Sequence, residues 1–412
     1  MGAFEVFAIV ACAIALVFLS WALFRMTKFP PGTIFILLGI ILSVFGSRMP
    51  QSLLDTVALA APILLGSILF SCGLKMNLHG MVAYKRSIAL SLLTVAITVL
   101  VVVIITHFFL GFDFKGAILA GAICAGVCSF FVFHIIDVVN LDEGVGDTLM
   151  LESSLTDAIV LMLSLAVFQL SNGASAIESL AFGTVFGLLA GIIWVRLMRF
   201  VADFPHRDAL TLSLVLAVAA LCEIIFQNSG MASAFFFGLA MGNANLLKTR
   251  ARFEGLLRFQ EDVLMAGGTF FFFYIGLMAS EVGFGLVLTG AALWVIVLAI
   301  RSVAIMVSLE GQGFNIWIAG LAPKGLGAVL IAYFAMANGF PVAPKLFSII
   351  VPLLVLSGLF AGICASVLEG KRPPRVETVA NSRKWGAVEE GKIGHAYDIE
   401  EMKRTINGEE SE

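Results

Sequence analysis

The sequence predicts an all-α polytopic membrane protein of about thirteen transmembrane helices, and three observations carry that prediction. First, 60% of its 412 residues are hydrophobic and 13% are charged, against about 45–50% and about 25% for soluble globular chains. Second, the mean hydropathy is +1.03, and the apolar residues number about 247, enough for roughly a dozen spans of about 20 residues each. Third, these residues fall in long runs, with none of the ~10-residue alternating strands of a membrane β-barrel. A soluble enzyme with one bulky core is excluded, and so is a soluble domain with a single anchor.

In chain order, the spans lie near 4–24, 30–46, 53–74, 87–110, 116–138, 148–170, 177–200, 208–226, 230–246, 262–280, 285–308, 314–337 and 346–368. Breaks rich in Gly and Pro separate them. Phe29-Pro30-Pro31-Gly32 precedes the second span, and Asn338-Gly339-Phe340-Pro341 precedes the last. The first run has no basic start and flows straight into the next, so it reads as a span and not as a cleavable leader. The fifth span carries Gly121-Ala122-Ile123-Cys124-Ala125-Gly126-Val127-Cys128-Ser129. Such small residues permit close helix packing and equally suit a helix that unwinds to expose carbonyls. In the twelfth, Leu321-Ala322-Pro323-Lys324-Gly325-Leu326-Gly327 puts Pro and Gly at mid-span, a stronger break. The two interrupted spans stand seven apart and so run in opposite directions, as an inverted repeat requires.

The remaining totals exclude other classes. A net charge of −3 carries no basic excess for a nucleic-acid partner. Cys12, Cys72, Cys124, Cys128, Cys222 and Cys364 all lie in apolar stretches without a CxxC or Cys/His cluster, so they read as small buried hydrophobes. No metal site or cofactor is indicated.

Lys and Arg placement sets the orientation. With the amino terminus outside, inner loops and helix ends carry Arg25, Lys28, Lys75, Lys85, Arg86, Arg196, Arg199, Arg207, Lys248, Arg250, Arg252 and Arg258, and outer loops carry Arg48, Lys115 and Lys345. The tail 371–412 is then cytoplasmic, solvated and mixed in charge, with a short helix expected around Asp398–Arg404.

Ionisable residues at mid-span are costly and mark function by default. Four qualify: Glu152 and Asp157 in the sixth span, Arg301 in the eleventh and Lys324 in the twelfth. Five residues of helix set Glu152 and Asp157 about 140° apart, so they need different partners. Ser153 lies one turn from Asp157, which gives that carboxylate an oxygen neighbour for a hard cation. Glu152 is expected to pair with Arg301 in a guanidinium–carboxylate fork, a structural pair. Lys324 is expected to neutralise carbonyl ends of the broken helices.

These residues resemble the monovalent cation/proton antiporter superfamily, closest to the sodium/proton exchangers of the NhaP and NHE type, over roughly 30–368. Glu152-Ser153-Ser154-Leu155-Thr156-Asp157 looks like the family's Glu-Ser-x-x-Asn-Asp motif, and Gly121 to Gly126 precedes what is usually Thr-Asp-Pro. Ser229-Gly230-Met231-Ala232 through Phe237-Gly238-Leu239, Phe270 through Leu277, Arg301, and Pro323-Lys324-Gly325 fall in family order. The resemblance implies a thirteen-helix antiporter fold, usually a homodimer, in which the broken fifth and twelfth spans cross. Core helices near 87–170 and 285–368 would move against scaffold helices near 4–74 and 208–280, with a linker near 177–200, all within a transmembrane domain 1–370.

Asp157 would bind Na⁺ or H⁺ in competition and the core would carry it across by an elevator motion. Thr156 stands where the family has Asn, and Val127-Cys128-Ser129 stands where it has Thr-Asp-Pro, so Ser129, Thr156 and backbone carbonyls would serve as oxygen donors. One acid, with Arg301 in place of a titrating lysine, argues for electroneutral one-to-one exchange. Sodium is the first choice of ion and potassium the second, in the cell's inner (plasma) membrane.

Three rival readings stand beside this. An intramembrane enzyme needs facing aspartates or a nucleophile–base pair, but Glu152 is claimed by Arg301 and His134 reads as a packed residue. A sodium-coupled symporter of an organic solute needs more polar side chains than 121–134 offers. A channel or sensor with a degenerate site is the third.

Overall fold

A computed structural model describes residues 22–370 except 25, 46–50, 77, 79–84, 140, 142, 172–175, 199, 201–205, 245–252, 280–283 and 309–315, together with 11, 15, 18 and 19. Most of the first expected span, Cys12, the loop cations Arg25, Arg48, Arg199, Lys248, Arg250 and Arg252, and the tail 371–412 with its expected short helix lie outside the described residues.

The described residues form helices and no strand. Helix α1 is Pro31–Val44, α2 Gln51–Lys75, α3 Lys85–Leu110, α4 Phe114–Ala125, α5 Ser129–Val139, α6 Glu143–Ser171 and α7 Ala176–Leu197. Then come α8 Arg207–Ile225, α9 Gly230–Gly242, α10 Glu254–Met278, α11 Phe284–Ser308, α12 Ile316–Ala319, α13 Leu326–Ala337 and α14 Ala343–Gly370. Nine stretches among the described residues are long and apolar enough to span a membrane, one of them running through α4 and α5, while α1, α9 and α13 are shorter apolar helices. The chain is a multi-pass membrane protein.

Local chemistry accounts for the helix starts near the site. Pro31 occupies the first turn of α1, where its missing N–H costs nothing. Asp113 caps α4 by accepting the Gly116 N–H at 3.3 Å. Two helices start earlier than hydropathy predicts. α6 starts at 143 and not 148, and α10 at 254 and not 262. The first turns of α10 hold Arg258, Gln260, Glu261 and Asp262, which lower hydropathy without disfavouring helix.

The most extensive helix contacts fall into two groups. α9 packs on α2 and α7, and α10 on α1, while α3 packs on α4 and α6, and α11 on α14. Glycines set the closest approach in the first group. Gly183, Gly187 and Gly191, four residues apart, share one face of α7. A Cβ on Gly187 would lie 2.8 Å from Ser233 Cα, and one on Gly191 2.8 Å from Ala240 Cβ, so α9 lies directly against that face.

Burial separates the interior from the rim. The stretch through α4 and α5 is 78% buried, against 22% for α3. α3, α7, α8 and α11 are thus largely exposed on the outside of the chain, and the interrupted backbone lies inside. That is where a bilayer protein tolerates non-helical chain.

Candidate functional site

The site grows from two places where helix is impossible to continue. α4 ends at Ala125 because Gly126 turns to φ −54°, ψ 141°, and its N–H closes on Ala122 O. α12 ends at Ala319, and the chain stays non-helical to Gly325. Pro323 has no N–H to continue a helix, and it pushes Ala322 away from helical geometry. The two non-helical segments touch: the Cys128 N–H donates to Pro323 O at 3.0 Å. The contact is so close that a Cβ on Gly325 would lie 3.3 Å from Cys128 Cα and overlap the Cys128 side chain. Only glycine fits there.

Breaking a helix inside the membrane exposes its end groups. The last carbonyls of a helix lack partners and carry partial negative charge. At the end of α4, Lys324 Nζ donates to Cys124 O and Gly126 O, each at 2.6 Å. Its own backbone N–H donates to Ser357 Oγ at 3.1 Å. At the end of α12, Arg301 Nε donates to Ala319 O at 3.0 Å. The same guanidinium forks onto Glu152 at 2.6 and 3.0 Å, with 6% and 8% of the two side chains exposed. Each half-helix C-terminus therefore receives one basic side chain from a distant part of the chain.

The complementary end is the N-terminus of α5. Its first N–H, from Ser129, donates to Asp157 Oδ2 at 2.9 Å, so a carboxylate of α6 faces the positive end of a helix. Asp157, Ser129 and Cys128 line a cavity of about 50 Å³ with Ser71, Cys72 and Lys75 of α2 and Thr269 of α10. That is several times the ~10–15 Å³ one water needs. The arrangement can hold a small cation or a proton on Asp157, with the Ser129 side chain and the thiols of Cys72 and Cys128 beside it.

Other residues singled out in the sequence lie off the cavity. Ser153 is fully buried, and its hydroxyl donates to Met150 O at 3.0 Å within its own helix. Thr156 is buried at 3% exposure and does not line the cavity. Val127 packs in a separate apolar cluster with Ile135, Leu149 and Leu321. Glu152, Arg301 and Lys324 stand behind the crossing. His134 Nδ1 pairs with Phe130 O at 2.9 Å, and its ring packs on Phe130 at 4.5 Å between centroids.

One functional candidate lay hidden among the loop cations. Lys75 closes α2 and points into the cavity wall. Its Nζ lies 3.5 Å from Glu261 Oε1 of α10 and 4.7 Å from the centroid of the Phe133 ring of α5. Its charge sits at a helix end, so hydropathy assigns it to a loop. The sequence signal for its partner was the acidic pair Glu261-Asp262 at the expected start of a span.

Comparison with known proteins places these features in a wider group. Residues 13–368 match a family model described as sodium/hydrogen exchanger, transmembrane. Curated relatives include a protein named K(+)/H(+) antiporter NhaP2 from Shewanella sp. (strain MR-4), 24% identical over 352 residues. The namesake from Shewanella baltica (strain OS223) is 25% identical. The match covers 78% of this chain and spans 58% of each relative's length. Among solved structures, the sodium proton antiporter MjNhaP1 from Methanocaldococcus jannaschii at pH 8 superposes with a TM-score of 0.69 at 20% identity, covering 89% of this chain and 99% of the other. An electron-microscopy structure of the same antiporter gives 0.67 at 18% identity, covering 91% and 100%. At these identities the likeness is one of fold.

Proposed function

The chain belongs to the family of transmembrane sodium/hydrogen exchangers, and on that premise we propose that it is a secondary active transporter exchanging a monovalent cation for a proton. It is a transporter and not an enzyme. The observation that carries the reading is Asp157. This carboxylate is held at the N-terminus of a broken helix, on the wall of a cavity, beside a crossing whose other charges are already paired.

The mechanism follows from one titratable group. Asp157 binds either H⁺ or the cation, never both, and a carrier that crosses only when loaded then exchanges them by mass action. Ser129 adds a hydroxyl oxygen to the shell, and no cofactor takes part. Glu152 and Arg301 form a neutral structural pair and contribute no exchangeable charge, which supports electroneutral one-to-one exchange. The two packing groups support an elevator in which α3 to α6 and α11 to α14 move against α1, α2 and α8 to α10, with α7 as linker. The protein works as a homodimer in the plasma membrane, with its amino terminus outside and its tail in the cytoplasm.

Na⁺ is the first choice of ion, because carboxylate and hydroxyl oxygens suit a small hard cation. K⁺ is the second reading, favoured by the K⁺/H⁺ antiport in the names of the Shewanella relatives.

Purified protein in liposomes with a trapped pH dye, challenged in turn with Na⁺, K⁺, Li⁺ and Rb⁺, tests the proposal. Asp157→Asn, which keeps an oxygen for the Ser129 N–H, should elute as a folded protein and lose exchange with every ion. Wild-type transport by that variant refutes the site. A rate that varies with imposed membrane potential refutes electroneutrality.

A further inference from the structure

We propose that Lys75 is a tethered competitor for the cation at Asp157, and that Glu261 is the positioning residue that holds it off. The proposal rests on Asp157 being the cation site.

Among the described residues lining the cavity, Lys75 and Asp157 are the only two with charged side chains. A cavity that takes up a cation on its one carboxylate thus has an ammonium in its own wall. The other cations of the crossing are committed. Lys324 is bound by two carbonyls at 2.6 Å, and Arg301 is bound by Glu152 and Ala319 O. Lys75 is held by weaker means. Its Nζ is 3.5 Å from Glu261 Oε1, longer than a charge-assisted hydrogen bond, and Glu261 is 22% exposed. Its second support is the Phe133 ring at 4.7 Å.

Lys75 and its two supports lie on three different elements. Lys75 is on α2 and Glu261 on α10, while Phe133 is on α5, whose first N–H holds Asp157. An ammonium on a flexible four-carbon stem that loses Glu261 has one unpaired anion left to reach in this cavity. A cation tethered so closely acts at an effective concentration in the millimolar range or above. It therefore competes with any ion bound at millimolar affinity.

The test measures KM for the cation and the maximal rate of exchange in liposomes for wild type, Glu261→Gln, Lys75→Gln and the double variant. A tethered competitor whose effective concentration is about ten times its own dissociation constant at Asp157 predicts that Glu261→Gln raises KM about tenfold while the maximal rate stays within about twofold. Lys75→Gln lowers KM below wild type, and the double variant follows Lys75→Gln, because Glu261 acts only through the lysine. A structural pair would instead lower the maximal rate in both single variants and leave KM unmoved, which overturns the proposal. So does a double variant with the KM of Glu261→Gln. If Glu261→Gln does not fold, Lys75→Gln alone decides, since an unchanged or raised KM there is fatal. Asp157→Asn separates the two levels. If it still exchanges ions, the Asp157 reading falls. If it is inert while the KM pattern is absent, only the role of Lys75 falls.

Discussion

Replacing Glu152 with glutamine removes one charge from a buried pair and almost nothing else. The carboxylate accepts two guanidinium N–H groups at 2.6 and 3.0 Å, and both side chains are more than nine-tenths buried. Glutamine keeps the volume and one acceptor oxygen, so packing is unchanged. What is lost is charge compensation and one acceptor: Arg301 keeps Ala319 O and the amide oxygen, and its other N–H then faces an amide NH2, a donor. A buried ion left without its partner costs about 3–5 kcal/mol, a large part of a typical stability of about 5–15 kcal/mol. The variant Glu152→Gln with Arg301→Met removes the bare charge and leaves the Ala319 carbonyl and the introduced amide without their partner, at about 1–3 kcal/mol each. Arg301→Met alone bares the Glu152 carboxylate at a similar cost, so the double variant should be less destabilised than the sum of the two single variants by about 4 kcal/mol. The assay is the monodisperse fraction of detergent-purified protein after a heating series, run for wild type, both single variants and the double. A Glu152→Gln protein as heat-resistant as wild type, or strictly additive losses, would refute the reasoning. Recovered Na⁺- or K⁺-driven exchange in the double variant would further mark the pair as structural.

Two more predictions follow from the same geometry. Lys324→Met leaves Cys124 O and Gly126 O without their donor at about 1–3 kcal/mol each, so it should lower the unfolding temperature and slow exchange. Wild-type behaviour in both measurements would show that the α4 terminus finds another partner. Gly187→Leu drives a side chain into the Ser233 backbone and should cost about 1–3 kcal/mol or more by overpacking, seen as lower folded yield. Equal yield would mean that α7 and α9 separate freely.

Much of the helix pattern was legible because the bilayer imposes length and hydropathy on each span. The expected 30–46 and 285–308 correspond to α1 at 31–44 and α11 at 284–308. The discrepancies have a physical origin. α10 begins at 254 because residues such as Gln260 are polar in composition yet fully buried, with Gln260 Nε2 bonded to Ser67 O at 2.8 Å. The small-residue run at 121–126 was compatible with tight packing and with unwinding. It does both: Gly121 packs within 3.0 Å of Val99 O, counting an added Cβ, and the helix opens only at 126–128.

The order of the apolar spans, the Pro323 break and the scarcity of buried charge were legible in the sequence, because each follows from the cost of water-loving groups in lipid. Asp157 stands out on that ground alone. Only the tertiary structure decided which charges meet. Lys324 reaches carbonyls about 200 residues away, Ser153 turns from Asp157 to its own helix, and Lys75 enters the cavity from a helix end. Helical spacing says which residues share a face, but not which distant helix that face will meet.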